Sequence, residues 1–311
     1  MTATKLLLDC DPGLDDALAL LLAHGDPALE LVAVTTVGGN VVLENTTRNA
    51  LELREHLGFT DAPVASGAAG PLVRETKNAA EVHGVGGLGD VILPPATLPL
   101  DPRGAVELIV ETLRDAPGEV HLVATGPMTN IALALRAEPR IAEWAASFTI
   151  MGGSFTRGNT TPAAEFNIYA DPEAAAEVFA AGWQVTMVGL DLTLQALVDD
   201  SVRNRMLALG PLGRDLVVPL ATFWNDPQDP DWGVQAVHDV CAIACLSRPD
   251  LFTSVPARVE VETAGEWTAG MTVTDFRSSR PNALVPVKLD VPRFWDYVLG
   301  VYARVAESRG G

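Results

Sequence analysis

Five short, near-continuously apolar runs, at residues 6–8, 31–37, 120–124, 148–151 and 185–188, alternate with amphipathic stretches through the first two-thirds of the chain. Strands buried on both faces read this way, whereas a strand with one wet face alternates apolar and polar residues. Helices are expected between them at 15–23, 44–57, 105–114, 129–135 and 172–179. The last of these starts at Asp171-Pro172, an N-cap followed by a proline at the first helical position. Such alternation implies an open, mostly parallel, Rossmann-like α/β sheet flanked by helices on both faces. The final third departs from the pattern. Helices are expected at 202–209 and 234–246, paired strands at 259–262 and 271–275 making a small C-terminal hairpin, and a closing helix at 292–305. No repeat, low-complexity run or linker interrupts the chain, so residues 1–311 are expected to form a single domain.

In open α/β sheets ligands bind beyond the carboxyl ends of the strands. The first apolar run is followed by Asp9, Asp11, Asp15 and Asp16, and the second by Gly38-Gly39-Asn40. Thr125-Gly126-Pro127 follows the third, Gly152-Gly153 the fourth and Asp191 the fifth. Their joint placement predicts one site at that edge. The acidic cluster is its densest part, with four carboxylates in eight residues. Carboxylates so close repel, and burying one unpaired is expensive, so a hard divalent cation among them is the simplest resolution. Aspartate at a helix start is favourable by about 0.3–1 kcal/mol. That accounts for one of Asp15 and Asp16, but not for Asp9 and Asp11 besides. An EF-hand is excluded because Leu14 and Leu20 occupy the places of its glycine and its final glutamate. A phosphatase of the haloacid dehalogenase type has two aspartates spaced like Asp9 and Asp11, but gives Asp15-Asp16 no role and does not expect Gly13.

The formal charge of -19, from 21 basic and 40 acidic residues, repels nucleic-acid backbones and anionic membranes and leaves a small-molecule substrate as the expected partner. Cys10, Cys241 and Cys245 form no disulfide framework and are expected to be small buried hydrophobes in a reducing compartment. The amino terminus lacks a signal-peptide pattern, and no apolar run approaches the roughly 20 residues needed to span a bilayer, so a cytoplasmic location is expected.

The segment 9–16 resembles the signature of the inosine–uridine preferring nucleoside hydrolase family. The likeness continues at residues 35–40, His83-Gly84, 125–130, 151–153, 162–167 and His238-Asp239, in family order across nearly the whole chain. The resemblance implies the nucleoside hydrolase fold and calcium-dependent hydrolysis of the N-glycosidic bond of ribonucleosides, in salvage or catabolism. It also implies a homodimer or homotetramer. Carried over residue by residue, Asp11, Asp16 and Asp239 become Ca2+ ligands through their carboxylates, and Thr125 through its carbonyl. Asp11 also becomes the general base toward water. Asp15, Asn40, Met151, Asn159, Glu165 and Asn167 become ribose contacts, with residues 164–167 expected to be extended so that Glu165 and Asn167 share a face. His238 becomes the general acid for the departing base. The resemblance assigns Asp9 no role, and it is read from its place in the cluster as a support for Asn40 or Asp11.

The base pocket is less determined. His83, Trp224 and Trp232 are its candidates, the tryptophans lying in a Pro- and Asp-rich stretch suited to a lid. Val240 stands where many members have proline after the His-Asp pair. Residues 161–167 and 232–239 look most like pyrimidine-preferring members, so uridine and cytidine are the expected substrates, with inosine also in range. Two alternatives share most of these residues: a sister hydrolase of a modified nucleoside, and a non-catalytic calcium-dependent nucleoside or ribose binder. A binder has no use for a general acid such as His238.

Overall fold

In the computed structural model, which describes residues 3–223 and 234–309, the run Leu6-Leu7-Leu8 lies inside strand β1 (Thr4–Cys10). Its side chains divide between two cores. Leu6, Leu8 and Cys10 pack on the side of the Leu14–Gly25 and Val291–Arg309 helices, whereas Leu7 packs on the side of the Ala105–Asp115 and Thr129–Ala137 helices. Burial on both faces is what the uninterrupted apolar run required.

The other strands are β2 (Leu29–Thr36), β3 (Val64–Ser66), β4 (Val120–Ala124), β5 (Ser147–Met151), β6 (Val185–Val188), β7 (Phe252–Val261), β8 (Thr272–Asp275) and β9 (Ala283–Leu289). Among the described residues they form one sheet in the order β3-β2-β1-β4-β5-β6-β9-β7-β8. Every pairing from β3 through β9 is parallel, and β7 pairs antiparallel with both β9 and β8. The strand order reverses between β1 and β4, which makes the gap beyond their carboxyl ends the topological switch point where such sheets bind ligands.

The Leu14–Gly25 helix is buried from Leu14 through Ala23, on its polar positions as well as its apolar ones. A helix that is apolar all round belongs inside a core, and this one packs against the His238–Ser247 helix and the Val291–Arg309 helix. Its far end is tied down by Asp26, whose Oδ2 accepts from the Tyr297 hydroxyl at 2.5 Å and from the Ser247 hydroxyl. The Asp171 side chain accepts from the Ala174 amide at 3.1 Å, so the predicted cap ahead of Pro172 is formed.

Three expectations change. The C-terminal hairpin is not separate: β7 and β9 extend the main sheet, and β7 begins at Phe252, well before 259. Pro256 and Pro286 concealed this extension, because proline removes a ladder donor and argues against a strand. Here Pro286 stands opposite Ser254, where the β7–β9 register shifts. Residues 234–237 are not helical; Ala236 bridges to Leu197, and the helix starts only at His238. Residues 164–167 are not an extended piece either, because Glu165 caps a helix running Phe166–Ala170. The three cysteines are free thiols, with Cys10 and Cys241 buried. No described helix is long and apolar enough to cross a membrane.

Candidate active site

The chain leaves β1 at Cys10 and enters its first helix at Leu14, and this tight turn places all four aspartates at the switch point. Asp16 caps its own helix. Its Oδ2 accepts from the Gly13 amide at 3.0 Å, and its Oδ1 accepts from the Thr125 hydroxyl at 2.8 Å, which ties the start of the first helix to the loop after β4. Helix capping therefore explains part of the motif, but not the rest. Asp11 accepts the Asn40 amide on Oδ2 at 2.7 Å, while its buried Oδ1 has no hydrogen-bond partner. The Asn40 side chain donates to the Asp11 carbonyl at 3.1 Å and to Asp16 Oδ2 at 2.9 Å. The glycines that follow β2 and β4 have a steric reason. A Cβ on Gly39 would lie 2.1 Å from Asp11 Oδ2, and one on Gly126 2.7 Å from Asp11 Oδ1.

Asp15, Asp16 and Asp239 each offer a carboxylate oxygen within 4.8 Å of the others. Asp239 comes from the start of the distant His238–Ser247 helix. Asp15, expected on the ribose, thus stands in this trio, while Asp11 lies beside it without meeting that spacing. Burial pushes every one of these carboxyls up, Asp15 to about 6, Asp16 to about 7, and Asp11 and Asp239 well above the usual range. The neighbouring aspartates push Asp11, Asp16 and Asp239 further. Three converging carboxylates and an orphaned buried oxygen, in a site whose burial raises every carboxyl, fit a divalent cation and an oxygen-ligand shell. Asp9 does not support Asn40 or Asp11. Its Oδ1 accepts from the Thr35 hydroxyl at 2.5 Å and from the Asn130 amide at 2.8 Å, and burial raises it to about 7.

Above this floor opens a cavity of about 520 Å³. Asp15, Asn40, Thr125 and Asp239 reach it from below; Met151, Asn159, Glu165 and Asn167 line one wall, and His83 and His238 also line it. Asp11 and Asp16 lie underneath. Asn167 donates to the Thr125 carbonyl at 2.7 Å and the Met151 carbonyl at 3.1 Å. Glu165 accepts from the amides of Gly153, Asn167 and Ile168, and burial raises it to about 7. Asn159 accepts from the Phe166 amide at 2.9 Å. Both histidines are held down by burial, His83 to about 3 and His238 to about 4. His83 Nδ1 accepts the Leu14 amide at 3.1 Å, so its hydrogen sits on Nε2. His238 Nδ1 lies 2.7 Å from the Thr193 hydroxyl.

Thr35, Asn130 and Thr193 drew no role from sequence. The strand-end rule marked Asp191 after β6, but Asp191 braces the Phe155 amide, whereas Thr193, two residues on, reaches the histidine. Trp224 and Trp232 lie outside the described residues.

The sequence model described as "Inosine-uridine preferring nucleoside hydrolase" matches residues 6–296. Over 311 residues the chain is 43% identical to the inosine-uridine preferring nucleoside hydrolase of Leishmania major, covering 98% of this chain and 99% of the relative. It is 45% identical over 300 residues to the pyrimidine-specific ribonucleoside hydrolase RihA of Escherichia coli (strain K12), covering 94% and 96%. Among solved structures, the purine-preferring ribonucleoside hydrolase from Gardnerella vaginalis superposes with a TM-score of 0.92 at 33% identity, covering 98% of this chain and 100% of the other. With the family match spanning nearly the whole chain and the strand-end cluster already in place, this protein belongs to the inosine-uridine preferring nucleoside hydrolase family.

Proposed function

We propose that the protein hydrolyses the N-glycosidic bond of ribonucleosides to ribose and free base, with calcium as its metal. The observation that carries this reading is the convergence of Asp15, Asp16 and Asp239 beneath a cavity whose wall holds His238. Asp11, Asp16, Asp239 and the Thr125 carbonyl are assigned to the cation, with Asp15 serving cation and ribose together. An all-oxygen donor set suits calcium, which takes about six to eight oxygens. Bound there, the cation supplies Lewis acidity that makes a water easier to deprotonate near neutral pH.

The remaining work falls to the chain's own groups. Asp11 has a free Oδ1 to take a proton from the attacking water, acting as general base. Water's oxygen bonds to the anomeric carbon as the carbon–nitrogen bond breaks, and the base leaves with a hydrogen supplied by His238. Both residues return to their starting state by exchange with solvent. As that bond breaks the ribose gains positive character. The surrounding carboxylates favour this charge over the neutral substrate, which turns binding into catalysis. Asn40, Met151, Asn159, Glu165 and Asn167 orient the sugar, and His83 faces the base with Nε2–H.

Uridine and cytidine are the proposed substrates, supported by the 45% identity to a pyrimidine-specific relative; inosine follows from the inosine-uridine preferring one. The single nine-stranded sheet supports reading residues 1–311 as one domain. The test is ribose release from a panel of nucleosides, with calcium and with chelator. Release that calcium supports and chelator abolishes is expected, whereas calorimetric nucleoside binding without any product would leave only a binder.

A further inference from the structure

Thr193 is fully buried and lies behind His238, outside the cavity lining. It ends the short Leu190–Thr193 helix that follows β6, and its backbone is committed there: its amide donates to the Gly189 carbonyl at 3.1 Å, and its carbonyl accepts from the Ala196 amide at 2.9 Å. The next residues hold the run-in to His238. The Val237 amide donates to the Ala196 carbonyl at 3.2 Å, the Val198 amide donates to the Gln235 carbonyl at 2.9 Å, and Leu197 bridges Ala236. The histidine's backbone and its ring are thus both referenced to one turn at the end of the sheet.

The ring contact has a direction. A threonine hydroxyl has one hydrogen to donate, and buried hydroxyl hydrogens find acceptors. Among the described residues the one partner of the Thr193 hydroxyl is His238 Nδ1, at 2.7 Å. If Nδ1 carried the hydrogen and donated, the hydroxyl's own hydrogen would point at nothing. Nδ1 is therefore the acceptor, and in the neutral ring the hydrogen resides on Nε2, the nitrogen left for the cavity that His238 lines.

We propose that Thr193 is the positioning residue of the reaction, fixing the plane and the tautomer of His238 so that Nε2–H is presented to the departing base. This rests on the reading that His238 serves the leaving group. Thr193 touches no substrate; it acts through the ring. A valine at 193 keeps the shape and removes the hydroxyl, which frees the imidazole to exchange its hydrogen between the two nitrogens and to rotate.

The experiment compares wild type, Thr193→Val, Thr193→Ser and His238→Ala on uridine and on 4-nitrophenyl β-ribofuranoside, whose phenolate departs without help. For Thr193→Val, kcat on uridine is expected to fall on the order of tenfold, part of the roughly 10²–10⁴-fold that a positioned proton donor contributes. The fall on the aryl riboside should be smaller and KM little changed, and Thr193→Ser should restore the uridine rate. Nitrogen-15 NMR of the imidazoles is a readout independent of turnover. The His238 Nδ1 signal should be that of an unprotonated nitrogen in wild type and in Thr193→Ser, and shift toward a mixed tautomer in Thr193→Val. A folded Thr193→Val with wild-type uridine turnover and an unchanged Nδ1 signal overturns the role of Thr193. If His238→Ala loses equally on both substrates, the reading of His238 itself is overturned and takes the inference with it. Wild type inert toward every nucleoside would instead sink the hydrolase proposal.

Discussion

The Thr125 hydroxyl donates to Asp16 Oδ1 at 2.8 Å while its carbonyl accepts from Asn167. One residue just after β4 thus joins the carboxylate floor to the wall that holds Asn167. A hydrogen bond to a charged group is worth about 1.5–3 kcal/mol. Thr125→Val, which keeps the carbonyl but removes the hydroxyl, is expected to weaken calcium binding by roughly tenfold or more. Isothermal titration of the chelator-treated protein measures this directly, and an unchanged affinity would remove Asp16 from the proposed coordination.

Gly39→Ala should abolish most activity while leaving the fold intact. The new Cβ would stand 2.1 Å from Asp11 Oδ2, so the carboxylate has to move. A misplacement of about 1 Å at a reacting group costs on the order of 10²-fold. Circular dichroism close to wild type together with a large drop in kcat is the expected pair of results. Gly126→Ala, at 2.7 Å from the other oxygen, should behave in the same direction.

Removing the metal should make stability depend on pH in a particular direction. Without a cation, burial holds Asp15 at about 6 and Asp16 at about 7 in the folded protein, against 3.8 for an unperturbed aspartate. Their folded values lie above the unfolded ones, so the folded state binds more protons between them. Their contribution is fully present below about pH 4 and is lost as pH rises toward 7. Chelator-treated protein should therefore lose stability across this interval in urea titrations, and added calcium should restore it most at the upper end. A flat profile in chelator contradicts the buried, mutually repelling cluster.

Tyr297→Phe tests the far end of the first helix. It deletes the hydroxyl that donates to Asp26 at 2.5 Å and leaves the Ser247 contact in place. Loss of about 1–2 kcal/mol of unfolding free energy is expected from such a partly buried bond, with the KM for uridine close to wild type. Equilibrium unfolding and steady-state kinetics on the same preparation separate the two.

Asn130→Ala should destabilise the fold by a similar mechanism but reach the site. The Asn130 amide donates to Asp9 and to the Thr36 carbonyl, and its oxygen accepts the Ala68 amide. Leaving such buried groups without partners costs about 1–3 kcal/mol each, which should appear as a lower urea midpoint with unchanged slope.

The parallel sheet was legible because its strands are wet on neither face, and a run such as Leu6-Leu7-Leu8 admits few other readings. The site's floor was legible because four aspartates fall within residues 9–16, and helix capping accounts for only part of them. What escaped was set by tertiary context. Pro286 sits inside a strand where a register shift in the β7–β9 ladder admits proline, which no local rule announces, while Pro256 stands in register opposite Leu284. Glu165 and Asn167 share a cavity through a helix cap rather than through alternation, so the right residues were grouped by the wrong periodicity. Thr193 and Asn130 act through neighbours that are 45 and 121 residues away in sequence, His238 and Asp9, and a lone hydroxyl or amide carries no signal of that.

The first helix has no outward side, since Leu14 through Ala23 are all buried. Its second and third residues are ligand candidates, and Ala17 through Ala23 are core. An enlarged or shrunken leucine anywhere along it would therefore steer two carboxylates as well as disturb packing. Redesign of base preference has no freedom at this floor. It has to come from Val82, Leu194 and Ala236, which line the cavity and carry no part of the metal or sugar assignment.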